Sequence, residues 1–270
     1  MSDTPQRILI TGAGSGLGLA LARQLAEQGA QIACVDIDGD RASAAASALS
    51  GDGHWAAQAD IASDADWAAL VAQVQEHWGG LDVLVNNAGV SSGGTVADTA
   101  IEDWQWMLDI NLLGVVRGCR ALIPLLRDTA RDGRIVNVAS FAGIAAAPGM
   151  AAYNVAKAGV IALSESLRAE LADTGIGVTV VCPAFFQTNL LETFRSPSPA
   201  QKAMVEKFMA RSHVTAEDVA ADIARGMADD TFLLITHKGA RRQALIKRIL
   251  PELYFRKLIE MTRGFSTGKN

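Results

Sequence analysis

Tyr153 and Lys157 stand four positions apart in an otherwise apolar stretch, and this spacing suggests proton-transfer chemistry. Apolar residues recur at helical spacing over 151–173, and on a helix two residues four apart share one face. A neighbouring ammonium group stabilises a phenolate and lowers the pKa of a tyrosine from its ordinary value of about 10. The pair could therefore serve as an acid and base, although such pairs also occur on ordinary helix surfaces.

Ser140 ends the fifth predicted strand, thirteen residues before Tyr153. In doubly wound α/β folds, ligands bind at the carboxyl edge of the sheet, where this residue would lie. Its hydroxyl could hydrogen-bond a substrate oxygen there.

The sequence TGAGSGLG at 11–18 is a glycine-rich turn between the first predicted strand and a predicted helix. Gly12, Gly16 and Gly18 allow a ligand to approach the backbone, and the N-terminus of the helix attracts a pyrophosphate. The same cluster could also be a tight turn without a ligand.

Asp36 ends the second predicted strand, 24 residues after Gly12. An acidic side chain at this place can accept hydrogen bonds from the ribose hydroxyls of an adenosine. It would also repel a 2′-phosphate, which favours NAD over NADP. Arg41 is the nearby cation that could argue otherwise, but Asp38 and Asp40 stand beside it.

Strand-like apolar runs alternate with longer helical patterns along the whole chain, which predicts a βαβ series. We therefore expect a single-domain, Rossmann-like fold over 1–270, with a doubly wound parallel seven-stranded sheet and helices on both faces. The predicted strands are 8–11, 31–36, 55–60, 82–87, 134–140, 177–183 and 232–237.

Charge and composition exclude several classes of function. The net charge of -5 and the pI near 5.4 give no general attraction to nucleic acid. The four histidines lack metal-ligand spacing, so we expect no metal site. The three cysteines lie in apolar runs, which favours reduced core residues, and the N-terminal sequence lacks the pattern of a signal peptide. We therefore expect a cytoplasmic protein.

The uncharged run 135–156 is about as long as the roughly 20 apolar residues of a membrane span. It contains Asn137, Pro148 and Asn154 besides the candidate tyrosine. These residues argue against a span and favour a site.

The motifs together resemble the classical short-chain dehydrogenase/reductase (SDR) family, closely over about 5–190 and more loosely to the last strand. The resemblance implies an NAD(H)-dependent oxidoreductase that interconverts a secondary alcohol and its ketone, and a homo-oligomer, either a dimer or a tetramer. It is carried by the turn 11–18, the NNAG sequence at 86–89, Asn111, Ser140, Tyr153 and Lys157.

The resemblance also implies roles for the catalytic residues. Tyr153 would be the general acid and base, and Lys157 would lower its pKa and hold the nicotinamide ribose. Ser140 would orient the reacting oxygen, and Asn111 would fix a water in the proton relay. A non-catalytic dinucleotide-binding regulator is the alternative, which loss of Tyr153 or Lys157 would have favoured.

The cofactor site implied by the resemblance runs along the carboxyl edge of the sheet. Asp60 would bind the adenine ring, with a helix cap as the alternative role. The residues of the implied cofactor site are Gly12, Ser15, Gly16, Leu17, Gly18, Asp36, Asp60, Ile61, Asn87, Ala88, Gly89, Tyr153, Lys157, Pro183 and Thr188.

Ala184 stands where the family usually has a glycine, between Pro183 and the later Thr188. A methyl group is disfavoured at positive φ, so we expect this loop to run differently from that of the family.

The substrate side is apolar, which predicts a hydrophobic alcohol or ketone rather than a phosphorylated or acidic molecule. A lid is expected over about 189–212, including Met204 and Phe208. The candidate substrate-binding residues are Ser140, Ala142, Met150, Tyr153 and Phe185.

The segment 238–270 contains nine Lys or Arg and two Glu, with apolar residues interleaved. This pattern predicts a basic amphipathic helical extension broken near Pro251. The extension could cover the mouth of the site, join subunits or lie on an anionic membrane. The last option gives an alternative function, a membrane-associated enzyme acting on lipid-like alcohols or aldehydes.

Overall fold

The computed structural model describes residues 4–197 and 199–262, without the side chains of residues 199–201, 204 and 208. Its centre is a sheet of seven parallel strands in the order β3-β2-β1-β4-β5-β6-β7. The strands are β1 Arg7–Thr11, β2 Gln31–Asp36, β3 Trp55–Gln58, β4 Val83–Asn86, β5 Arg134–Val138, β6 Gly177–Val181 and β7 Leu233–Leu234. The predicted Rossmann-like doubly wound sheet is confirmed.

Helices connect the strands and cover the sheet. A π-helical turn, Asp109–Leu113, separates α4 from α5, and a 3-10 turn, Asn189–Leu191, precedes α8. The helices are α1 Gly16–Glu27, α2 Gly39–Ser47, α3 Asp64–Trp78, α4 Ile101–Leu108, α5 Gly114–Thr129, α6 Phe141–Ala145, α7 Ala151–Glu170, α8 Pro199–Ala210, α9 Ala216–Ala228, α10 Lys238–Ile249 and α11 Pro251–Thr262.

Two apolar cores lie on opposite faces of the sheet. Side chains alternate along a strand, so Leu9 joins the core with α3, α5 and α7, whereas Ile8 and Ile10 join the core with α1 and α9. The strands β1, β2, β4, β5 and β6 contribute buried side chains to both cores, as expected for a parallel sheet, whereas the edge strands β3 and β7 are each buried on one face.

Several predicted strands end too late. The runs 134–140 and 177–183 leave the sheet at Val138 and Val181, and 232–237 pairs only at Leu233 and Leu234. Of the residues that follow β5 and β6, Ala139, Ser140 and Pro183 border a cleft at the carboxyl edge of the sheet. The uncharged run 135–156 is divided among β5, α6 and α7. Within 4–197 and 199–262, no helix is long and apolar enough to cross a membrane.

The C-terminal segment forms two helices that meet at Leu250, directly before Pro251, as predicted. Proline lacks a backbone donor and cannot continue the preceding helix, so a new helix begins with it. The residues 263–270 of the predicted extension lie outside the described part of the chain.

Candidate active site

A cleft of about 360 Å³ lies along the carboxyl ends of the strands. This is within the range of small-molecule sites. Of the predicted site residues, Gly18 and Asn111 do not line the cleft. Those that line it are Gly12, Ser15, Gly16, Leu17, Asp36, Asp60, Ile61, Asn87, Ala88, Gly89, Ser140, Ala142, Met150, Tyr153, Lys157, Pro183, Phe185 and Thr188.

The glycine turn brings the N-terminus of α1 to this cleft. Gly12 and Gly16 have φ angles of 65° and 51°, which L side chains rarely adopt. Gly18 lies against the carbonyl oxygen of Gly12, where a Cβ has no room. Its role is therefore to pack the helix on the turn, whereas the first two glycines shape the wall of the cleft.

The NNAG segment after β4 holds the glycine turn in place. The backbone N–H groups of Asn87 and Ala88 both donate to Thr11 Oγ1 at 3.0 Å, and Asn87 Nδ2 donates to the carbonyl oxygen of Thr11 at 2.9 Å. These bonds fix the ends of β1 and β4 side by side.

Asp36 is anchored by backbone donors at the end of β2. Its Oδ2 accepts from the N–H of Gly14 at 2.9 Å, and its Oδ1 accepts from the N–H of Asp38 at 3.1 Å. The carboxylate is thereby held beside the glycine turn. Sequence reasoning missed Gly14, although its place in the TGAGSGLG turn was a signal.

Asp60 lies in the cleft wall after β3. Its Oδ1 accepts from the N–H of Ala62 at 2.9 Å, whereas the cap of α3 is Ser63, whose hydroxyl accepts from the N–H of Asp66. The helix-cap alternative for Asp60 is therefore wrong. Its carboxylate lies in a turn that borders the cleft.

Tyr153 and Lys157 are both buried on the face of α7 that borders the cleft. Lys157 Nζ lies 5.9 Å from the centroid of the Tyr153 ring and donates to the carbonyl oxygen of Val138 at 2.8 Å. Ser140 caps α6, and its Oγ accepts from the N–H of Ala142 at 3.1 Å. The three predicted side chains thus converge where β5 ends.

Burial controls the protonation of this group. It raises the pKa of Tyr153, and a hydrogen bond with Ser140 offsets part of the rise. It also lowers the pKa of Lys157 to about 8. The prediction that Lys157 lowers the pKa of Tyr153 below its ordinary value is wrong for this structure, because removal from water outweighs any field of the ammonium group.

Asn111 lies in the π-helical turn and is fully buried. Its Oδ1 accepts from the N–H of Val90 at 2.9 Å, and its Nδ2 donates to the carbonyl oxygen of Val90 at 2.8 Å. The amide therefore holds the loop after β4 and does not face the cleft. Its Nδ2 also donates to Met107 Sδ at 2.6 Å, and the expected binding of a water by Asn111 stays a prediction.

Ala184 does not have a positive φ angle, the conformation that a methyl group disfavours. Among the described residues, Ala146 and Asp230 are the non-glycine residues with positive φ. The N–H of Ala184 donates to His237 Nδ1 at 3.3 Å, and the carbonyl oxygen of Pro183 accepts from Phe141 at 2.8 Å. The loop is therefore held by its neighbours in a conformation that alanine can adopt.

The substrate end of the cleft is apolar. Ala142, Met150 and Phe185 line it as predicted. The side chains of Met204 and Phe208, predicted for the lid, lie outside the described residues. Val205 and Met209 of the predicted lid also line this end. Sequence reasoning missed Ala145 and Ala147, for which apolar character was the available signal.

The C-terminal helices do not cover the mouth of the cleft. None of the described residues of α10 and α11 lines it. Lys247 Nζ instead donates to the carbonyl oxygen of Ile144 at 2.6 Å. The hydroxyl of Tyr254 donates to the carbonyl oxygen of Ala145 at 3.0 Å. The extension thus supports α6 from behind.

Between 4 and 262, leaving out residue 198, no cluster of potential metal ligands occurs.

Comparison with known proteins identifies relatives. A sequence model described as short chain dehydrogenase matches residues 6–198. "Probable oxidoreductase EphD" of Mycobacterium tuberculosis is 32% identical over 261 residues, which cover 92% of this chain and 41% of the relative. The chain thus spans about two fifths of that relative's length. "Ketoacyl reductase HetN" of a Nostoc species is 31% identical over 250 residues, which cover 92% of this chain and 84% of the relative.

Among solved structures, a short-chain dehydrogenase/reductase from Burkholderia phymatum in complex with NAD is similar with a TM-score of 0.88. It is 28% identical in sequence, and the match covers 94% of this chain and 96% of the other.

Proposed function

The chain belongs to the short-chain dehydrogenase family, and we propose that this oxidoreductase uses NAD(H) to interconvert a hydrophobic secondary alcohol and its ketone. The observation that carries the proposal is the convergence of Ser140, Tyr153 and Lys157 at the apolar end of a cleft. The other end of that cleft holds the glycine turn and Asp36.

The cleft has features that fit a dinucleotide. Gly12 and Gly16 leave its wall without side chains, and the N-terminus of α1 opens toward it, which suits a pyrophosphate. Asp36 would accept hydrogen bonds from the adenosine ribose, and a related structure contains NAD. When bound, the nicotinamide supplies or accepts a hydride.

The side chains at the apolar end would handle the proton. Since burial raises the pKa of Tyr153, its hydroxyl is protonated at neutral pH and can donate to a carbonyl oxygen as reduction proceeds. In the reverse direction the phenolate would take the proton of the alcohol. Ser140 would hydrogen-bond the same oxygen, and Lys157 would stabilise negative charge on the phenolate.

The lining favours an uncharged, hydrophobic substrate. Among the described residues that line the cleft, the cations are Lys157, which belongs to the catalytic group, and Arg41, which lies at the adenosine end. An acidic substrate would therefore lack an anchor. A ketoacyl group is compatible with this lining, and one relative carries the name ketoacyl reductase.

The test is a two-part measurement on the intact protein. Fluorescence titration with NADH and NADPH gives the two dissociation constants, and NADH absorbance follows turnover of a panel of secondary alcohols and ketones. We expect tighter binding of NADH and turnover that increases with the apolar character of the substrate. A preference for NADPH, or no turnover of any panel member, would contradict the proposal.

We also propose that the protein is a homo-oligomer that associates through α5 and α7. Val155, on α7, and Leu113, the last residue of the π-helical turn before α5, are exposed by 50% and 44%, respectively. A contact between copies would bury both. Sedimentation equilibrium should give a dimer or tetramer that Val155→Glu dissociates, whereas an unaltered monomer would oppose the assignment.

A second candidate function, association with an anionic membrane, is favoured by the exposed surface of α10 and α11. Leu245, Ile249, Phe255 and Ile259 are exposed on these helices among arginines and lysines. From the sequence, 238–270 has a charge of 9 − 2 = +7, so the rest of the chain has −5 − 7 = −12. Two such basic surfaces repel each other in a symmetric dimer, whereas an anionic lipid surface matches both the charge and the apolar side chains.

Vesicle sedimentation tests this candidate. The protein should sediment with vesicles of phosphatidylcholine and phosphatidylglycerol, but not with phosphatidylcholine alone, and Leu245→Gln with Ile249→Gln should weaken binding. Val96→Gln is the control, because Val96 is an exposed apolar residue on the body of the protein. Binding that ignores lipid charge, or that the paired substitutions leave unchanged, would oppose membrane association.

A further inference from the structure

Arg41 stands near the anchored carboxylate of Asp36. Both side chains lie against Gly14, since a Cβ placed there would be 2.7 Å from Arg41 Cβ and 2.8 Å from Asp36 Oδ2. A dinucleotide whose ribose is bound by Asp36 would therefore present any 2′-phosphate close to Arg41. A guanidinium is a strong partner for phosphate, so Arg41 by itself would favour NADP(H).

Two carboxylates occupy this guanidinium. Arg41 Nη1 donates to Glu192 Oε2 at 3.0 Å, and Arg41 Nε lies 3.4 Å from Asp38 Oδ2. Asp38 is a neighbour in sequence and caps α2. Glu192 is 151 residues away and comes from the segment at the start of the predicted lid.

The path of the chain explains how Glu192 reaches Arg41. Thr188 lies beside the glycine turn, since its Oγ1 is 2.9 Å from the position of a Cβ on Gly16. The 3-10 turn Asn189–Leu191 then carries the chain to Glu192. Thr188, Glu192, Asp36 and Arg41 all line the same cleft. The ion pair therefore joins the lid segment to the adenosine end of the cleft.

We propose that Glu192 sets the cofactor preference of this site by pairing with Arg41, which keeps Arg41 from binding the 2′-phosphate of NADP(H). A phosphate monoester carries a charge of about −1.5 to −2 near neutral pH, so it would compete with the Glu192 carboxylate for the same guanidinium. Glu192 is thus a positioning residue that acts through Arg41, in addition to the direct repulsion by Asp36. The inference rests on the proposed binding of NAD(H).

The test compares the dissociation constants of NADH and NADPH for four proteins: the unaltered chain, Glu192→Gln, the double variant Arg41→Gln with Glu192→Gln, and the control Glu206→Gln. Glu206 is an exposed residue of α8 that does not line the cleft. Because the ion pair is half-exposed, Glu192→Gln should lower the dissociation constant of NADPH by up to about fivefold. The dissociation constant of NADH should change by less than about twofold. The gain should shrink in about 0.5 M salt and vanish in the double variant.

The possible failures separate the two proposals. If the unaltered protein binds no NADH, the proposed function fails, and this inference fails with it. If NADH binds but Glu192→Gln leaves the ratio of the two constants unchanged, the inference alone fails. If Glu192→Gln weakens the binding of NADH and NADPH equally, Glu192 only stabilises the lid segment. If NADPH binding is still tighter in the double variant, Glu192→Gln acts by removal of a charge and not through Arg41. Either result overturns the inference.

Discussion

The two ends of the parallel sheet bury charged groups in opposite ways. At the amino end, the Asp82 carboxylate is almost fully buried and accepts hydrogen bonds from Arg7 at 2.8 Å and Arg131 at 3.1 Å. At the carboxyl end, Lys157 is equally buried, but its hydrogen-bond partner is the carbonyl oxygen of Val138. In the part of the chain that the structure describes, no carboxylate pairs with Lys157.

The pKa values record this difference. Burial tends to raise the pKa of Asp82, but the hydrogen bonds from Arg7 and Arg131 outweigh it and hold the pKa well below its ordinary value. Burial also lowers the pKa of Lys157, to about 8, and none of the described carboxylates offsets this effect. A paired buried charge supports the fold, whereas an uncompensated one marks the place where the fold gives up stability for chemistry. Substitutions at the two ends should therefore affect different measurements.

The largest effect is expected for Tyr153→Phe. Loss of the proton donor should lower kcat by about 10² to 10⁴-fold, the usual contribution of general acid–base catalysis. The free energy of unfolding should fall by no more than about 1 kcal/mol, because the ring stays in place and only the hydrogen bond with Ser140 is lost. Steady-state kinetics and urea unfolding measure the two quantities, and titration shows whether NADH still binds.

Tyr254→Phe is the matched control, since Tyr254 is the chain's other tyrosine and its hydroxyl is also buried and hydrogen-bonded. It should cost about 1 kcal/mol of stability and leave the chemical step intact. If both variants lose rate equally, Tyr153 has no special role at the carboxyl end, and the contrast between the two ends disappears.

The next effect belongs to the amino end. Asp82→Asn removes the charge that pairs with Arg7 and Arg131, so the free energy of unfolding should fall by about 3 kcal/mol. The value of kcat for the folded protein should stay within a factor of about two, because the substitution lies at the opposite edge of the sheet. Urea unfolding at pH 7 provides the measurement, with the exposed neighbour Asp132→Asn as a control that should leave stability unchanged.

The pH dependence of this loss follows from the lowered pKa of Asp82. Its contribution is fully present above the ordinary value of 3.8 and is lost as the pH falls through the folded-state value. The difference between the unaltered protein and Asp82→Asn should therefore shrink on acidification below pH 3.8. A difference that stays constant with pH would show that the substitution acts through packing instead of charge.

Much of the carboxyl end could be predicted from sequence because its residues belong to short local motifs. A glycine turn after a strand, or Tyr153 and Lys157 one turn apart, depend on chain geometry within a few residues. The order of the strands brought these motifs to one edge, as the alternating pattern implied.

What could not be predicted depends on contacts between distant segments. Asn111 faces Val90 and not the cleft, and the pairing of Arg41 with Glu192 requires the path of the lid segment. The conformation of Ala184 is set by neighbours from other elements, and the pKa of Tyr153 is set by burial. None of these contacts leaves a periodic or local signal in the sequence.

The last substitution sharpens the comparison because its effect on stability has the opposite sign. Lys157→Met removes an uncompensated buried charge and fills the same space with an uncharged side chain. It should abolish turnover but raise the free energy of unfolding at pH 7 by about 1 to 2 kcal/mol, after loss of the hydrogen bond to Val138. Removal of a charge thus destabilises one end of the sheet and stabilises the other.

The advantage of the methionine variant should depend on pH in a defined direction. The folded-state pKa of Lys157, about 8, lies below the ordinary 10.5, so between these values the folded lysine is neutral while the unfolded lysine is still protonated. The unaltered protein then gains about 1.4 kcal/mol per pH unit relative to Lys157→Met. Other buried groups titrate in both proteins, so their contributions cancel in the difference between the two free energies of unfolding. A variant that is less stable than the unaltered protein at pH 7 would mean that the fold compensates this ammonium after all, and that the two ends bury charge alike.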